Sequence, residues 1–101
     1  MVKINMELRS TAYRNHADEE LLELLKFSDQ AAYSELYRRY WAILFRHARR
    51  MLGNDEEARD VIQDVFVVLW TKSTDMAIES TISSYLYGMV RYKVIDLIDK
   101  R

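Results

Sequence analysis

The 101-residue sequence has no cysteine, no proline and only two glycines. Without cysteine the chain can form neither a disulfide framework nor a thiolate metal site, which fits a reducing, cytoplasmic setting. Strands are usually bounded by glycine and proline turns, whereas helices tolerate their absence, so the composition favours an all-helical chain. No run approaches the roughly 18 apolar residues of a membrane span, and we expect no export signal because the N-terminus lacks a charged-then-apolar pattern.

An excess of positive charge is also absent, because 15 lysines and arginines stand against 16 aspartates and glutamates. Proteins that hold nucleic acid by bulk electrostatics typically carry a strongly basic footprint. Charge is nevertheless segregated: the first predicted helix is acidic, the second basic and the third acidic again. This pattern suits a protein that contacts a basic partner at one place and phosphate at another, although helices that merely neutralise one another would also produce it.

Half of the residues are hydrophobic and 31% are charged, a composition typical of one small globular domain. Residues 1–16 show no sustained period and are interpreted as a flexible leader. The first helix starts at Asp18, and a second, capped by Asp29, runs to Leu52 with Gly53 as its C′ residue. The predicted apolar side of the second helix contains Ala32, Tyr33, Leu36, Tyr37, Tyr40, Ile43, Leu44, His47 and Met51. We therefore predict an all-α, compact bundle of about four helices in residues 17–101.

The third helix, residues 54–70, has two faces that can each be buried. Asn54 and Glu57 form a candidate capping box at its start. At about 100° per residue, its inward face gathers Ala58, Val61, Ile62, Val65, Phe66 and Leu69. The opposite side carries Asp60, Gln63, Asp64, Val67 and Thr71, flanked by Val68 and Trp70. This side is either a docking face, since binding surfaces mix apolar anchors with polar groups, or a second buried face.

The last helix is predicted from about Ile82 into Arg101, after a loop of about ten residues in the segment TKSTDMAIESTIS. Its inward stripe contains Leu86, Met89, Val90, Val94 and Leu97. Its outward face contains Ser84, Tyr87, Gly88, Arg91, Tyr92 and Ile95. Proteins bind single strands with such a combination, in which bases stack on rings and Arg reaches phosphate, but a tyrosine-rich surface without function has the same pattern.

Three segments in order resemble one known family. DVIQDVFVVLW, residues 60–70, resembles the polymerase-binding helix of sigma region 2 in the sigma-70 family, in the extracytoplasmic-function (ECF) type with the pattern Asp-x-x-Gln-Asp/Glu-x-Phe-x-x-x-Trp. Upstream, ELYRRYWAILFRHARRMLGN resembles the preceding helix and its short glycine turn. Downstream, SYLYGMVRYKVIDLIDKR resembles the promoter-reading helix, so that the resemblance covers about residues 18–101.

The resemblance implies a sigma region 2 bundle that takes part in bacterial transcription initiation. Its implied contacts with the clamp helices of the RNA polymerase beta-prime subunit are Asp60, Gln63, Asp64, Val67 and Trp70. Its implied contacts with the single-stranded minus-ten promoter element are Lys72, Ser73, Thr74, Asp75 and Met76, which would accept a flipped base, and Ser84, Tyr87, Gly88, Arg91 and Tyr92. Where ECF factors usually have Arg-Asn this chain has Arg91-Tyr92, so we expect promoter preference to change while general strand affinity survives.

The resemblance also implies partners and domains beyond these residues. The family continues into region 4, which reads the minus-thirty-five element, and we expect that domain to be absent from this chain. We also expect a cognate anti-sigma factor to bind this chain. One alternative is a helical protein-protein adaptor without DNA binding. A hydrolase or metal-dependent bundle is disfavoured because no nucleophile and base constellation and no Glu-x-x-His pair occurs, so we predict no enzyme activity and no cofactor. His47 is interpreted as a core-edge residue.

Overall fold

Four helices contain most of the residues that the computed structural model describes, which are 13–75 and 80–101. They are α1 (Asp18–Leu25), α2 (Gln30–Leu52), α3 (Asp55–Lys72) and α4 (Ile82–Asp99), and a 3-10 turn, Tyr13–Asn15, precedes them. The predicted all-α bundle is confirmed, with no strand in the described ranges. None of these helices combines the length and apolar character that crossing a membrane requires.

Side chains at the helix ends determine where α2 and α3 begin. The Asp29 carboxylate accepts a hydrogen bond from the Ala32 N–H at 3.1 Å, and the Asn54 amide oxygen accepts one from the Glu57 N–H at 2.8 Å. Each bond satisfies a donor that the first helical turn leaves unpaired. Gly53 ends α2 in the left-handed conformation, at φ 70°, as predicted. The Glu57 carboxylate, predicted to complete a capping box, accepts instead from Arg101.

Residues 73–81 separate α3 from α4, close to the predicted loop of about ten residues. Helix α3 continues through Thr71 and Lys72, which the sequence analysis assigned to that loop. Thr81 then caps α4 by accepting a hydrogen bond from the Ser84 N–H at 3.1 Å. Residues 76–79 of the predicted loop lie outside the described residues.

The core lies between α2, α3 and α4. The predicted inward face of α3 is confirmed, since all six of its residues are buried. Helix α4 buries Leu86, Val90 and Val94 against it. Helix α2 differs from prediction, because Ile43 and Met51 remain 41% and 37% exposed. Leu36 and Leu44 of the predicted stripe are buried, and Ala48 and Leu52 continue the buried side at four-residue steps.

Arg39 joins the N-terminal turn, α1 and α2. Its guanidinium donates to the Glu35 carboxylate at 2.8 Å and to the Asp18 carboxylate at 2.9 Å. It also donates to three backbone carbonyls of the N-terminal turn, those of Tyr13, Arg14 and His16. Residues 13–16 of the predicted leader are therefore docked on the bundle, and residues 1–12 lie outside the described residues.

Glu35 is a fully buried carboxylate at the centre of this network. Arg38 donates two hydrogen bonds to it, at 3.0 and 2.7 Å, and these bonds are the main reason why the pKa of Glu35 lies below its usual value. Asp18 accepts a further bond from the Tyr40 hydroxyl, and burial together with this carboxylate raises the pKa of Tyr40 to about 12. The charges of these residues are thus used inside the protein, as the neutralisation alternative proposed.

We predict that Arg39→Ala lowers the free energy of unfolding by about 3 kcal/mol, because it leaves a buried carboxylate short of a partner. The measurement is urea unfolding followed by circular dichroism. Arg49→Ala is the matched control, since Arg49 pairs with Asp55 where both side chains are about half exposed, and such a pair contributes at most about 1 kcal/mol. Equal decreases in the two variants would contradict the role of Arg39.

Candidate functional site

The outer face of α3 is exposed. Asp60, Gln63, Asp64, Val67 and Thr71 all lie in solvent, and Val67 is 54% exposed although it is aliphatic. Their own neighbours in the bundle do not cover them, so the alternative of a helix buried on both sides is wrong. The surface combines carboxylates, an amide and an apolar side chain on a rigid helix whose other side is core.

One edge of this face adjoins α2. The Trp70 ring lies 5.1 Å from the Tyr33 ring, and the Tyr33 hydroxyl donates to the Phe66 carbonyl at 3.0 Å. Burial raises the pKa of Tyr33, so its hydroxyl stays protonated as a donor. A groove of about 350 Å³ opens there, lined by Gln30, Tyr33, Ser34, Val67 and Trp70. Trp70 is therefore held in place beside an apolar groove, on the side of α3 that also contains Gln63.

The other edge adjoins α4. A second groove of about 350 Å³ runs there, lined by Glu57, Asp60, Val61, Asp64, Lys93, Asp96, Leu97 and Lys100. Here Asp60 and Asp64 share a polar surface with two lysines, one of which, Lys100, pairs with Asp96 at 3.1 Å. Of the five predicted docking residues, Val67 and Trp70 therefore border the first groove, Asp60 and Asp64 border the second, and Gln63 lines neither.

An aromatic row on α2 contributes to the first edge, and the sequence analysis did not assign it a role. Its members recur every four residues and are Tyr33, Tyr37, Trp41 and Phe45. Trp41 and Phe45 stack at 5.1 Å with 6° between their planes, and the Arg59 guanidinium of α3 lies 5.9 Å from the Phe45 ring. The repeat was visible in the sequence, but the helical pattern alone did not reveal which members would be half-exposed beside α3.

The outward face of α4 is exposed at Ser84, Gly88, Arg91 and Tyr92, and Tyr92 is 68% exposed. Tyr87 differs from prediction. It is half-buried, packs against the core, and places its ring 5.2 Å from the His47 ring at 75°, an edge-on contact between α4 and α2. Only part of the Tyr87 ring therefore remains accessible to a partner.

The residues after α3 are not equally accessible. Lys72, Thr74 and Asp75 are exposed, and Met76 lies outside the described residues. Ser73 is 2% exposed, and its hydroxyl donates to the Trp70 carbonyl at 3.0 Å. The prediction that Ser73 contacts a ligand is corrected on this ground, since its hydroxyl is used to satisfy the end of α3.

The histidines have no surroundings that suit a metal. Within residues 13–75 and 80–101, no three side chains among His, Asp and Glu are grouped so that they could hold an ion. His47 lies half-buried at the edge of the core, in contact with an aromatic ring. The described surfaces present aromatic rings, carboxylates and guanidinium groups, all of which can contact a partner without covalent chemistry.

Gly88 is a mid-helix glycine that the fold does not need. A Cβ built on it meets no atom within 4 Å, and its backbone has no positive φ. Glycine in a helix interior usually costs about 0.5–1 kcal/mol relative to alanine. The isolated protein therefore gains no stability from the absence of a side chain at this position.

We predict that Gly88→Ala raises the free energy of unfolding by about 0.5–1 kcal/mol, because alanine restricts the unfolded chain and favours the helix. Chemical denaturation is the measurement, with Ala42→Gly, an exposed position on α2, as the reverse control. A decrease in stability for Gly88→Ala would show that the fold needs glycine here.

The sequence is similar to a known protein family and to a known bacterial protein. Residues 36–101 match the family model described as Sigma-70 region 2. The ECF RNA polymerase sigma factor SigW of Bacillus subtilis (strain 168) is 29% identical over 80 residues, which cover 79% of this chain and 43% of SigW. The chain thus spans less than half the length of this curated relative. No solved structure matches the chain.

Proposed function

Because the chain belongs to the sigma-70 region 2 family, we propose that it is the part of an ECF-type sigma factor that binds RNA polymerase and captures the opened minus-ten promoter element. The similarity to SigW supports the ECF type. The observation that carries the proposal is that Asp60, Gln63, Asp64 and Val67 are exposed on one side of α3, with the half-buried Trp70 at its edge, while the other side builds the core.

In this proposal α3 docks on the clamp helices of the beta-prime subunit. Trp70 is an anchor whose ring is already fixed against Tyr33, so binding loses little side-chain entropy there. The adjacent apolar groove suits an aliphatic side chain of the partner. Asp60 and Asp64, at the opposite edge, suit basic side chains, which would make the encounter faster at low salt.

The α4 face takes the non-template single strand. Arg91 supplies positive charge for phosphate, and the exposed Tyr92 ring supplies a stacking surface that is worth about 1–3 kcal/mol per base. Lys72, Thr74 and Asp75, together with Met76 outside the described residues, accept a flipped base in this proposal. Since these interactions exist only with separated strands, binding shifts the promoter towards the open state without any bond chemistry.

Tyr92 stands where the resembled pattern has asparagine. An amide can hydrogen-bond the edge of one base, whereas a phenol ring mainly stacks, and stacking tolerates every base. We therefore propose weak base preference at this position together with intact affinity for single strands. An anti-sigma factor would cover the same exposed face of α3 and so compete with polymerase.

The docking prediction concerns the double variant Gln63→Ala with Trp70→Ala. It should weaken binding to an isolated beta-prime clamp-helix peptide by about 30-fold or more, because truncating a central tryptophan anchor costs about 2 kcal/mol or more. Isothermal titration calorimetry measures the affinity. Its control is Arg91→Gln with Tyr92→Ala, which leaves the α3 face intact and should bind the peptide as the native chain does. If the native chain is folded but does not bind the peptide, the result favours the adaptor alternative.

The prediction for DNA binding uses the same two double variants, with the test variant and the control variant exchanged. Arg91→Gln with Tyr92→Ala should weaken binding to a single-stranded minus-ten oligonucleotide at least fivefold, since the variant can neither stack a base on Tyr92 nor pair Arg91 with a phosphate. The docking variant is now the control and should keep its strand affinity. Tyr92→Phe should also keep it, because the ring remains. Fluorescence anisotropy measures the affinity, and undiminished binding by the double variant would reject α4 as the strand-binding face.

A further inference from the structure

The seam between α2 and α4 joins the proposed strand-binding face to a second helix. The rings of His47 and Tyr87 meet edge-on at 5.2 Å, and the Ser83 side chain reaches the Tyr40 hydroxyl nearer the start of both helices. Because the two contacts follow in the same order along α2 and α4, the helices run in the same general direction here. The turn of α2 after His47 and the turn of α4 that contains Arg91 therefore both follow the His47–Tyr87 contact in the same direction.

Two exposed arginines of α2 lie within one helical turn of His47. Arg50 is about one turn after His47, and Arg46 directly precedes it. Along the described ranges, neither they nor Arg91 pairs with a carboxylate, whereas Arg38, Arg39 and Arg49 each do. Arg46 and Arg50 are spaced i, i+4, where like charges destabilise a helix. The bundle thus tolerates a local repulsion that no acidic residue in the described part of the chain relieves.

We propose that α2 forms part of the nucleic-acid surface, with Arg50 and Arg46 binding the phosphates of the strand that α4 holds, and with His47 as a positioning residue for Tyr87. This inference rests on the proposed function of α4 and extends it to a second helix. The occupant is a sugar-phosphate backbone because Arg46, Arg50 and Arg91 are exposed, have no acidic partner among the described residues, and lie within about one helical turn of the His47–Tyr87 contact on their own helices. The overall charge of -1 does not prevent this, since the positive charge is concentrated locally.

The first test measures how strand affinity depends on salt. Removing one arginine that binds a phosphate should reduce the slope of log K against log salt by about 0.7 for a single strand. We expect that reduction for Arg50→Gln and about twice as much for Arg46→Gln with Arg50→Gln, by fluorescence anisotropy with the minus-ten oligonucleotide. Arg49→Gln is the matched control, because it removes the same charge from the same turn of α2 at a residue already paired with Asp55.

The outcomes separate this inference from the function on which it rests. If Arg50→Gln and Arg49→Gln change the slope equally while the Arg91 and Tyr92 variant still loses affinity, α2 is not part of the surface and the proposed function stands. If the folded native chain binds no single strand, both proposals are rejected. If Arg50→Gln reduces the slope and Arg49→Gln does not, the result supports α2 as part of the nucleic-acid surface.

The second test concerns His47. His47→Ala should weaken strand binding a few-fold without changing the salt slope, and His47→Phe should restore it by replacing the edge-on ring. In a Tyr87→Ala background the same His47→Ala change should have no further effect, because the two rings act as a unit. Circular dichroism confirms that each variant is folded under the binding conditions. Additive decreases in the double variant would overturn the positioning role.

Discussion

The burial of one side of α3 is the constraint on which the other surfaces depend. Six apolar side chains of α3 are enclosed by its neighbours. Burying a side chain of this size is worth about 1.5–3 kcal/mol, so a rotation of α3 that exposed several of them would unfold the domain. The direction of Asp60, Gln63 and Val67 is therefore fixed by packing on the far side of the same helix, before any partner arrives.

The division of charge explains how a nearly neutral chain can offer sites for partners of opposite sign. Arg38 and Arg39, the arginines of α2 closest to α1, both donate to Glu35, and Arg39 also donates to Asp18 and to carbonyls of the N-terminal turn. Arg46 and Arg50, further along α2, have no such partners within the described residues. The arginines near the start of α2 are thus paired within the protein, whereas Arg46 and Arg50 are exposed and can contact a partner. Composition and net charge do not show this difference.

Much of this arrangement was predictable because it depends on local chemistry. Capping by Asp29 and Asn54 and the left-handed Gly53 need only neighbouring residues, and the α3 stripe needs only a regular helix. The errors concern tertiary coverage. Helical spacing gives the angle of each side chain but not the arc that neighbouring helices cover, which is why Ile43 was assigned inward and Tyr87 outward. Glu35 was overlooked because its burial requires two arginines and a folded α1.

The hydroxyl of Ser73 has a mechanical consequence. It donates to the backbone carbonyl of Trp70, three positions earlier, so this hydrogen bond links the last turn of α3 to the exposed residues that follow it. Movement of the α3 backbone at Trp70 would therefore also shift Thr74.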